Sequence, residues 1–462
     1  MFQHASSSHP HPHAAAPTSW RPLARACALA VLGMAGSFAA QAENLIDLYQ
    51  AARGYDAAYL AAKSQFDAAQ FKADQARSLQ RPSVNLQATV KRNRLESSVD
   101  GPFSAEGSST NSQVAVAARQ PLFNLGNSAK VSQAEASLTA AEADLKMAED
   151  DLVARLAQGY FDVLAAQDVL ATAKDNKKAL AEQLASAKRS FEVGNSTITD
   201  TREAQARFDL ATAQEIAATN DLRVKHIALD QLVGRADVKP NPLRTPVNLD
   251  SLDPGQIAPW VQNTGTAPMV RKAEVGLKVA KLEVDGARAG HMPTLDAVAQ
   301  VARTHISSGN DLVKAQSGAG TAGSIGLEFN MPLYAGNAIQ NRVRETLSLQ
   351  DKAERDLDNA RRSVELGTRQ AYSGVQSGLA QVKAYEAAES SAKLALEATQ
   401  LGYRVGVRIN KDVLDAQTQL TNTQKDLYKA RYDVIIGAIK LRQAAGTLTA
   451  ADLTELNKLV AP

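Results

Sequence analysis

Four segments of the chain alternate apolar and polar residues with the period of two that is typical of a β-strand. In the first, one face carries Val84, Leu86, Ala88 and Val90, and the other carries Asn85, Gln87 and Thr89. The alternation predicts strands at about 83–93, 112–123, 294–303 and 324–334, paired as two hairpins. The segments that join the two members of each pair are polar and rich in Gly and Ser, which predicts long loops at one end.

Long stretches without proline follow each strand pair, and their apolar residues have a helical period. No proline occurs in residues 122–239 or 333–461. Leucines recur every seven residues from Leu138 to Leu152, with an alanine four residues before each. This spacing is typical of coiled coils, and the alanines let neighbouring helices approach closely. A helix over residues 127–190 would be about 95 Å long at ~1.5 Å per residue, so we predict extended helical hairpins.

The chain contains an internal repeat. The segment FEVGNSTITDTREAQARF (191–208) returns as YRVGVRINKDVLDAQTQL (403–420), so that an aromatic residue, Gly, Asp and Gln recur 212 positions apart. The prolines that flank the strands recur 211 positions apart. Each repeat therefore contains a strand pair and a helical hairpin. The predicted bounds are 43–245 and 246–462 for the repeats, with hairpin tips near 191–200 and 403–412.

Residues 1–42 have the features of a secretion signal. Arg21 and Arg25 precede a short apolar run, and A-Q-A supplies a cleavage site before Glu43. A membrane anchor is the alternative, but about 11–15 apolar residues are too few to span a bilayer. Removal of this leader also removes the single cysteine, and it leaves 49 basic against 49 acidic residues, a balance that argues against a nucleic-acid partner. The remaining chain shows no His or Cys spacing typical of a metal site, so we expect no metal and no cofactor.

The predicted strands place polar side chains on one face and apolar side chains on the other. If they span a membrane, their sheet must close, because lipid offers no partner to unpaired backbone groups. Single-chain barrels have at least eight strands, and this chain supplies four. We therefore expect several chains to share one barrel, with the polar face towards the lumen and the apolar face towards lipid.

This arrangement closely resembles the TolC family of outer-membrane efflux and type I secretion channels. The resemblance is carried by ENLIDLYQAAR at the start of the mature chain, QPLFNLGN and MPLYAGN after the strand pairs, AQGYFDVLAAQDVL, both repeat segments and the closing LRQAAGTLTAADLTELN. It implies an α+β membrane protein, a homotrimer whose twelve-stranded transmembrane β-barrel continues into a twelve-helix barrel across the periplasm of a Gram-negative bacterium. It also implies a passive duct without catalysis, which exports small molecules or unfolded proteins together with a periplasmic adaptor and an inner-membrane pump of the ABC or RND type.

The repeat segments hold most of the candidate functional residues. The resemblance places Gly194 and Gly406 at the turns of the hairpin tips, where the adaptor is expected to dock, and it places Asp412 and Asp415 at the periplasmic constriction. It assigns five further residues to a latch that closes the entrance: Gln183, Thr199, Asp200, Tyr403 and Arg408. Gln400 departs from the glutamate of the family pattern, so we expect a hydrogen bond between Gln400 and Gln183 in place of one charged latch contact.

Two expectations concern the charges of these segments. Arg408 is expected to pair with Asp200 of the adjoining hairpin. The aspartates of a trimer are expected to hold some protons above the ordinary carboxyl pKa of about 3.9, because like charges crowd at the constriction. The alternative is that the acids only stabilise the N-terminus of a returning helix, and Asp200 with Glu203 repeats the same spacing in the first hairpin.

Other features allow rival interpretations. Residues 318–323 match the G-x-G-x-x-G spacing of dinucleotide sites, but a polar segment precedes them and a strand follows, so we interpret them as a flexible extracellular loop. Phe123 and Tyr334 fit either an aromatic belt at the membrane interface or simple packing beside the strands. The main alternative function is that of a periplasmic coiled-coil adaptor. Adaptors carry one hairpin and an anchor, whereas this chain shows two hairpins and two strand pairs.

Overall fold

The computed structural model describes residues 44–97, 105–244, 246–308 and 317–461. The predicted leader, residues 1–42, lies outside this part of the chain. The strands in these ranges are β1 (Ser83–Ser97), β2 (Ala105–Phe123), β3 (Thr294–Ser308) and β4 (Gly318–Asn330). The helices are α1 (Leu45–Tyr55), α2 (Ala57–Arg77), α3 (Leu125–Glu192), α4 (Ile198–Val233), α5 (Ile257–Asn263), α6 (Pro268–Ala289), α7 (Ala338–Arg404), α8 (Asn410–Ala444) and α9 (Ala450–Asn457).

The two longest helices begin shortly after the strand pairs. α3 has 68 residues and α7 has 67, so each is about 100 Å long. At the start of α3 the side chain of Asn124 accepts a hydrogen bond from the backbone NH of Asn127 at 2.9 Å, which caps the first turn. α3 therefore covers the whole helix predicted over 127–190. No described helix is both long enough and apolar enough to cross a membrane.

The four strands form one antiparallel sheet in the order β1-β2-β3-β4. The register pairs Leu86 with Val116, and Val116 with Val301. These side chains are 72%, 45% and 57% exposed, so one face of the sheet is apolar and has no protein packed over it. The opposite face is polar and holds an ion pair at 2.6 Å between Arg119 and Asp296. The alternation in the sequence thus predicts the two faces correctly.

The first three strands extend further than the alternation predicts, and the fourth begins and ends earlier. β1 continues to Ser97 and β3 to Ser308, whereas β4 ends at Asn330 and not near 334. These extensions are mostly polar and carry only Leu95 and Ile306 as large apolar residues, so the period of two disappears although the backbone pairing continues. The ladder of backbone hydrogen bonds does not depend on which side chains it carries.

The interpretation of residues 318–323 as a flexible loop is wrong. They form the first part of β4 and pair with β3, where Gly318 lies opposite Ile306 and Gly323 lies opposite Val301. Glycine has no side chain and therefore leaves no alternating pattern to read. The segment precedes no helix, and it is an extended edge strand.

The main hydrophobic core lies where α3 and α8 meet the shorter helices and the linker between the two halves. Tyr160 and Phe161 of α3 are fully buried and pack edge to face, with ring centroids 5.4 Å apart. Tyr432 of α8 lies against Phe161 at 6.3 Å. The hydroxyl of Tyr160 accepts a hydrogen bond from the backbone NH of Asn241 in the linker at 2.9 Å. This core joins the first helical hairpin to the second, and the tips extend away from it.

Candidate functional site at the hairpin tips

Both helical hairpins turn at a glycine with a left-handed backbone. After α3, Gly194 has φ +79°, and the NH of Asn195 bonds the carbonyl of Ser190 at 2.8 Å. After α7, Gly406 has φ +82°, and the NH of Val407 bonds the carbonyl of Gly402 at 2.9 Å. Side chains with a Cβ rarely adopt this conformation, and glycine does so without steric cost. The two glycines thus reverse the chain at equivalent positions.

The first tip has a capping box at the start of α4. The Thr197 hydroxyl oxygen accepts a hydrogen bond from the NH of Asp200 at 3.2 Å, and the Asp200 carboxylate accepts one from the NH of Thr197 at 3.0 Å. The Ser196 hydroxyl donates a further bond to Asp200 at 2.9 Å. Hydrogen bonds from the backbone and side chain of Thr197 hold the pKa of Asp200 below its ordinary value. The second tip has Ile409 at the corresponding position, without a side-chain cap.

Removal of this cap should loosen the first tip selectively. Thr197→Ala loses one of the two reciprocal hydrogen bonds, which corresponds to about 1 kcal/mol of local stability. Amide hydrogen exchange should accelerate in the first turn of α4 and remain unchanged in the first turn of α8. Thr199→Ala is the matched control, because Thr199 lies two residues away and is exposed. Equal acceleration in both variants would contradict a role for the capping box.

Asp415 joins the two hairpins of one chain through an ion pair. Its carboxylate lies 2.7 Å from the guanidinium of Arg207 on α4 and 2.6 Å from the ammonium of Lys411 on α8. Arg207 also approaches Glu203 at 3.9 Å. The hydrogen bond from Lys411, followed by the influence of Arg207, holds the pKa of Asp415 below the ordinary value of 3.8. Asp415 is therefore ionised at neutral pH and bound on both sides by cations.

A second polar contact ties α8 to the first hairpin. Asn410, the first residue of α8, is only 3% exposed and accepts a hydrogen bond from the side-chain amide of Gln183 on α3. Beneath it, Leu414 of α8 packs into an apolar cluster with Leu180 and Leu184 of α3, together with Ala204 and Ala211 of α4. The beginning of α8 is thus held by both helices of the first hairpin.

Several predicted latch contacts are not formed within one chain. Arg408 lies 3.6 Å from Asp412, four residues further along α8, and it does not pair with Asp200. The Asp200 carboxylate is already occupied by the capping box. Gln183 bonds Asn410 within one chain, and its predicted bond to Gln400 stays a prediction. Within one chain, Arg408 therefore has Asp412 as its partner and Gln183 has Asn410.

Tyr403 and Thr199 have different surroundings. Tyr403 is partly buried and packs against the apolar cluster of its own hairpin, formed by Leu396, Val413 and Leu420. Thr199 is exposed at the second position of α4. The structure therefore places Thr199 on the surface of the tip, where it is accessible to another chain.

The six charged residues of the hairpin tips named next are called the mouth. Their charges compensate one another, which the sequence interpretation missed. Three acidic and three basic side chains form two groups of ion pairs: Glu203, Arg207, Asp415 and Lys411 are linked in one, and Arg408 pairs with Asp412 in the other. Within one chain Lys411 and Arg207 lower the pKa of Asp415 against the opposing effect of burial. The expectation that crowded carboxyls of a trimer retain protons stays a prediction. Lys411 precedes Asp415 by four residues on one helix, so its spacing was a usable signal.

Comparison with known proteins assigns the chain to a family. The chain matches the outer membrane efflux protein family over residues 48–235 and 263–447. It is 32% identical over 439 residues to the outer membrane protein TolC of Vibrio cholerae, covering 93% of this chain and 96% of that protein. It is 31% identical to the alkaline protease secretion protein AprF of Pseudomonas aeruginosa, over 72% of this chain and 69% of that protein. The chain belongs to the outer membrane efflux protein family.

Solved structures show the same fold. The outer membrane protein VceC of Vibrio cholerae superposes with a TM-score of 0.74 at 18% identity, covering 87% of this chain and 96% of that one. The open state of the MtrE outer membrane channel of Neisseria gonorrhoeae superposes with a TM-score of 0.68 at 19% identity, covering 88% and 91%. The relatives are channels and not enzymes. The chain is an outer-membrane channel of the efflux and type I secretion class, located in the outer membrane of a Gram-negative bacterium.

Proposed function

We propose that three copies of this chain share one closed barrel of twelve strands. The sheet of a single chain ends in β1 on one side and β4 on the other, and an edge strand is a template for pairing with another chain. Its apolar face is exposed on all four strands, as at Val84, Val116, Val301 and Ile325. An apolar surface of this extent is stable in lipid, and a closed barrel satisfies the backbone there. The open amphipathic sheet is the observation that carries the proposal.

The helical hairpins of the three copies then form the periplasmic tunnel, and the two repeats of each chain contribute equivalent halves. Helices of about 100 Å are long enough to form the wall of an extended tunnel. Its closed entrance lies at the tips, where Asp412 and Asp415 line the constriction. The contacts of Asp415 and of Gln183 hold the two hairpins of each chain together, while Thr199 is exposed for contact with a neighbouring copy. Asp200, Tyr403 and Arg408 complete the latch in this proposal, and the duct is passive and requires no cofactor.

Partners of the channel bind at the tips. Channels of this family work with a pump and an adaptor, and we assign to this chain a periplasmic adaptor that contacts the turns at Gly194 and Gly406, with a pump of the ABC or RND type. Exposed apolar side chains surround both turns, among them Val193 (71%), Val407 (75%) and Ile409 (60%). Such a patch is typical of a protein-binding surface. The names of the relatives include a secretion protein for alkaline protease and a solvent efflux protein, which supports both unfolded proteins and small molecules as cargo.

Fractionation tests this assembly directly. The protein should be recovered from the outer membrane as a trimer that dissociates into monomers on heating in detergent, because the barrel strands pair between chains. Sedimentation of the detergent-solubilised protein measures its oligomeric state. A water-soluble periplasmic monomer would be incompatible with a shared barrel, whereas an inner-membrane protein would favour the adaptor alternative.

A further inference from the structure

The two returning helices begin with residues of opposite polarity and opposite burial. α4 begins at Ile198 and α8 begins at Asn410, 212 positions later, so the two residues are equivalent in the internal repeat. The apolar residue Ile198 is 49% exposed, whereas the polar residue Asn410 is only 3% exposed. Folding normally buries the apolar member of such a pair and leaves the amide in water. The buried amide of the second tip therefore calls for an explanation other than the burial of apolar surface.

The amide of Asn410 connects α8 to both helices of the first hairpin. Its oxygen accepts a hydrogen bond from the side-chain amide of Gln183 on α3, and its nitrogen donates a longer bond of 3.5 Å to the backbone carbonyl of Asp200 on α4. Among the described residues, both hydrogen bonds of this side chain thus cross to the first hairpin. Separation of the two hairpins at this point would break both bonds together.

These hydrogen bonds differ in kind from the ion pairs of the mouth. The amide of Asn410 carries no charge and is nearly excluded from water. The side chains of the ion pair between Arg207 and Asp415 are 30% and 44% exposed, so dissolved salt screens their attraction. A bond between two neutral amides has no net charges to screen. The two hairpins are therefore joined by a neutral contact beside a charged one.

We propose that Asn410 fixes the position of the second tip against the first within each chain, through neutral hydrogen bonds that stabilise the closed entrance and that salt does not weaken. Buried polar groups can specify one arrangement of packed helices, because a shift leaves them unpaired. Leu414, one turn further along α8, contributes apolar packing at the same place, and apolar packing tolerates a shift more readily. Asn410 is thus a positioning residue. This inference rests on the proposed function, in which the entrance closes at the tips.

A double-mutant cycle on the purified trimer tests this role. Asn410→Ala should shift the ratio of closed to open entrances about fivefold per chain, or about a hundredfold when three tips act together. Gln183→Met removes the amide donor, keeps an unbranched side chain of similar length, and should shift the ratio in the same direction. The combined variant should open no further than Asn410→Ala alone, because both substitutions remove the same bond. Single-channel recordings in planar bilayers measure the open fraction.

Asn195→Ala is the matched control. Asn195 is an exposed asparagine beside the turn of the first tip, so its loss should leave the open fraction unchanged. All variants are recorded at about 0.1 M and about 1 M KCl, between which the screening length falls from about 10 Å to about 3 Å. The effect of Asn410→Ala should be the same at both concentrations, whereas the effect of Arg207→Gln should shrink at the higher one.

Asn410→Asp provides a second test, in which the shape of the side chain is kept. Its carboxylate cannot donate to the carbonyl of Asp200, so the entrance should open at pH 7. Burial raises the pKa of the introduced carboxyl. Protonation at about pH 5 then restores a neutral donor, and the open fraction should return towards that of the wild type. Asn410→Ala should show no such recovery at the same pH.

Several results would overturn the proposal. They are additive effects of Asn410→Ala and Gln183→Met, a salt-dependent effect of Asn410→Ala, and an Asn410→Asp channel that stays closed at pH 7. Trimer mass is recorded on the same samples. A conducting trimer in which Asn410→Ala has no effect on the open fraction refutes this inference alone, whereas a soluble monomer refutes the proposed function.

Discussion

Arg207→Gln should loosen the closed entrance and increase its preference for cations. Arg207 provides the ion pair to Asp415 that joins the first hairpin to the second, at 2.7 Å. Partly exposed pairs of this kind contribute about 0.2–1 kcal/mol. Three symmetric copies acting together therefore shift the ratio of closed to open entrances by about three- to a hundredfold. The loss of three positive charges also leaves a net negative mouth, which favours cations.

Single-channel recordings in planar bilayers measure both effects. The variant should show higher conductance or more frequent openings, and its reversal potential under a salt gradient should move towards that of a cation channel. Arg202→Gln is the matched control, because Arg202 is an exposed arginine on the same helix and its loss removes the same charge. Identical recordings for the two variants would show that the pair between Arg207 and Asp415 does not hold the entrance.

The architecture was largely predictable because its signals are local. A period of two identified the four strands, and a long stretch without proline identified α3 and α7. Both patterns follow from which face of an element is buried or exposed. The ends of the strands were not predictable, because polar residues such as those before Ser97 and Ser308 carry no alternation while their backbone pairing continues.

The site was only partly predictable, for a different reason. Asp412 and Asp415 came from the family resemblance, since Asp200 and Glu203 have the same spacing in the first hairpin, and their role stays a prediction. The contact of Lys411 follows from helical spacing. Arg207, however, lies 208 residues before its partner Asp415. That contact depends on how α8 packs on α4, which no periodicity reveals. Asn410 was missed likewise, because its burial arises from the packing of one hairpin on the other.

Asp412→Asn combined with Asp415→Asn should give the closed channel a clear preference for anions. The six charges of the mouth balance in the wild type, so its preference should be weak. The double variant removes two carboxylates from each chain and leaves Arg207, Arg408 and Lys411 in excess. A ring of Arg and Lys favours anions. Trimer assembly should persist, because neither carboxylate belongs to an apolar cluster and asparagine has nearly the same shape.

Reversal potentials of the wild type and the double variant under a salt gradient give the sign of the ion preference directly. Asp209→Asn is the control for the loss of an exposed carboxylate two residues from Arg207.

Titration of the wild type adds an independent test. The pKa of Asp415 lies below 3.8 because Lys411 and Arg207 stabilise its ionised form, so its ion pairs persist above that pH and are lost as the pH falls through the lowered pKa. The contribution of Asp415 to the ion preference should therefore stay constant from pH 7 to about pH 4 and be lost only below that range. A shift between pH 5 and 7 would mean that the carboxyls share protons around the ring and that the cations of the mouth do not neutralise them. If the double variant and the wild type had the same reversal potential at every pH, Asp412 and Asp415 would not line the constriction.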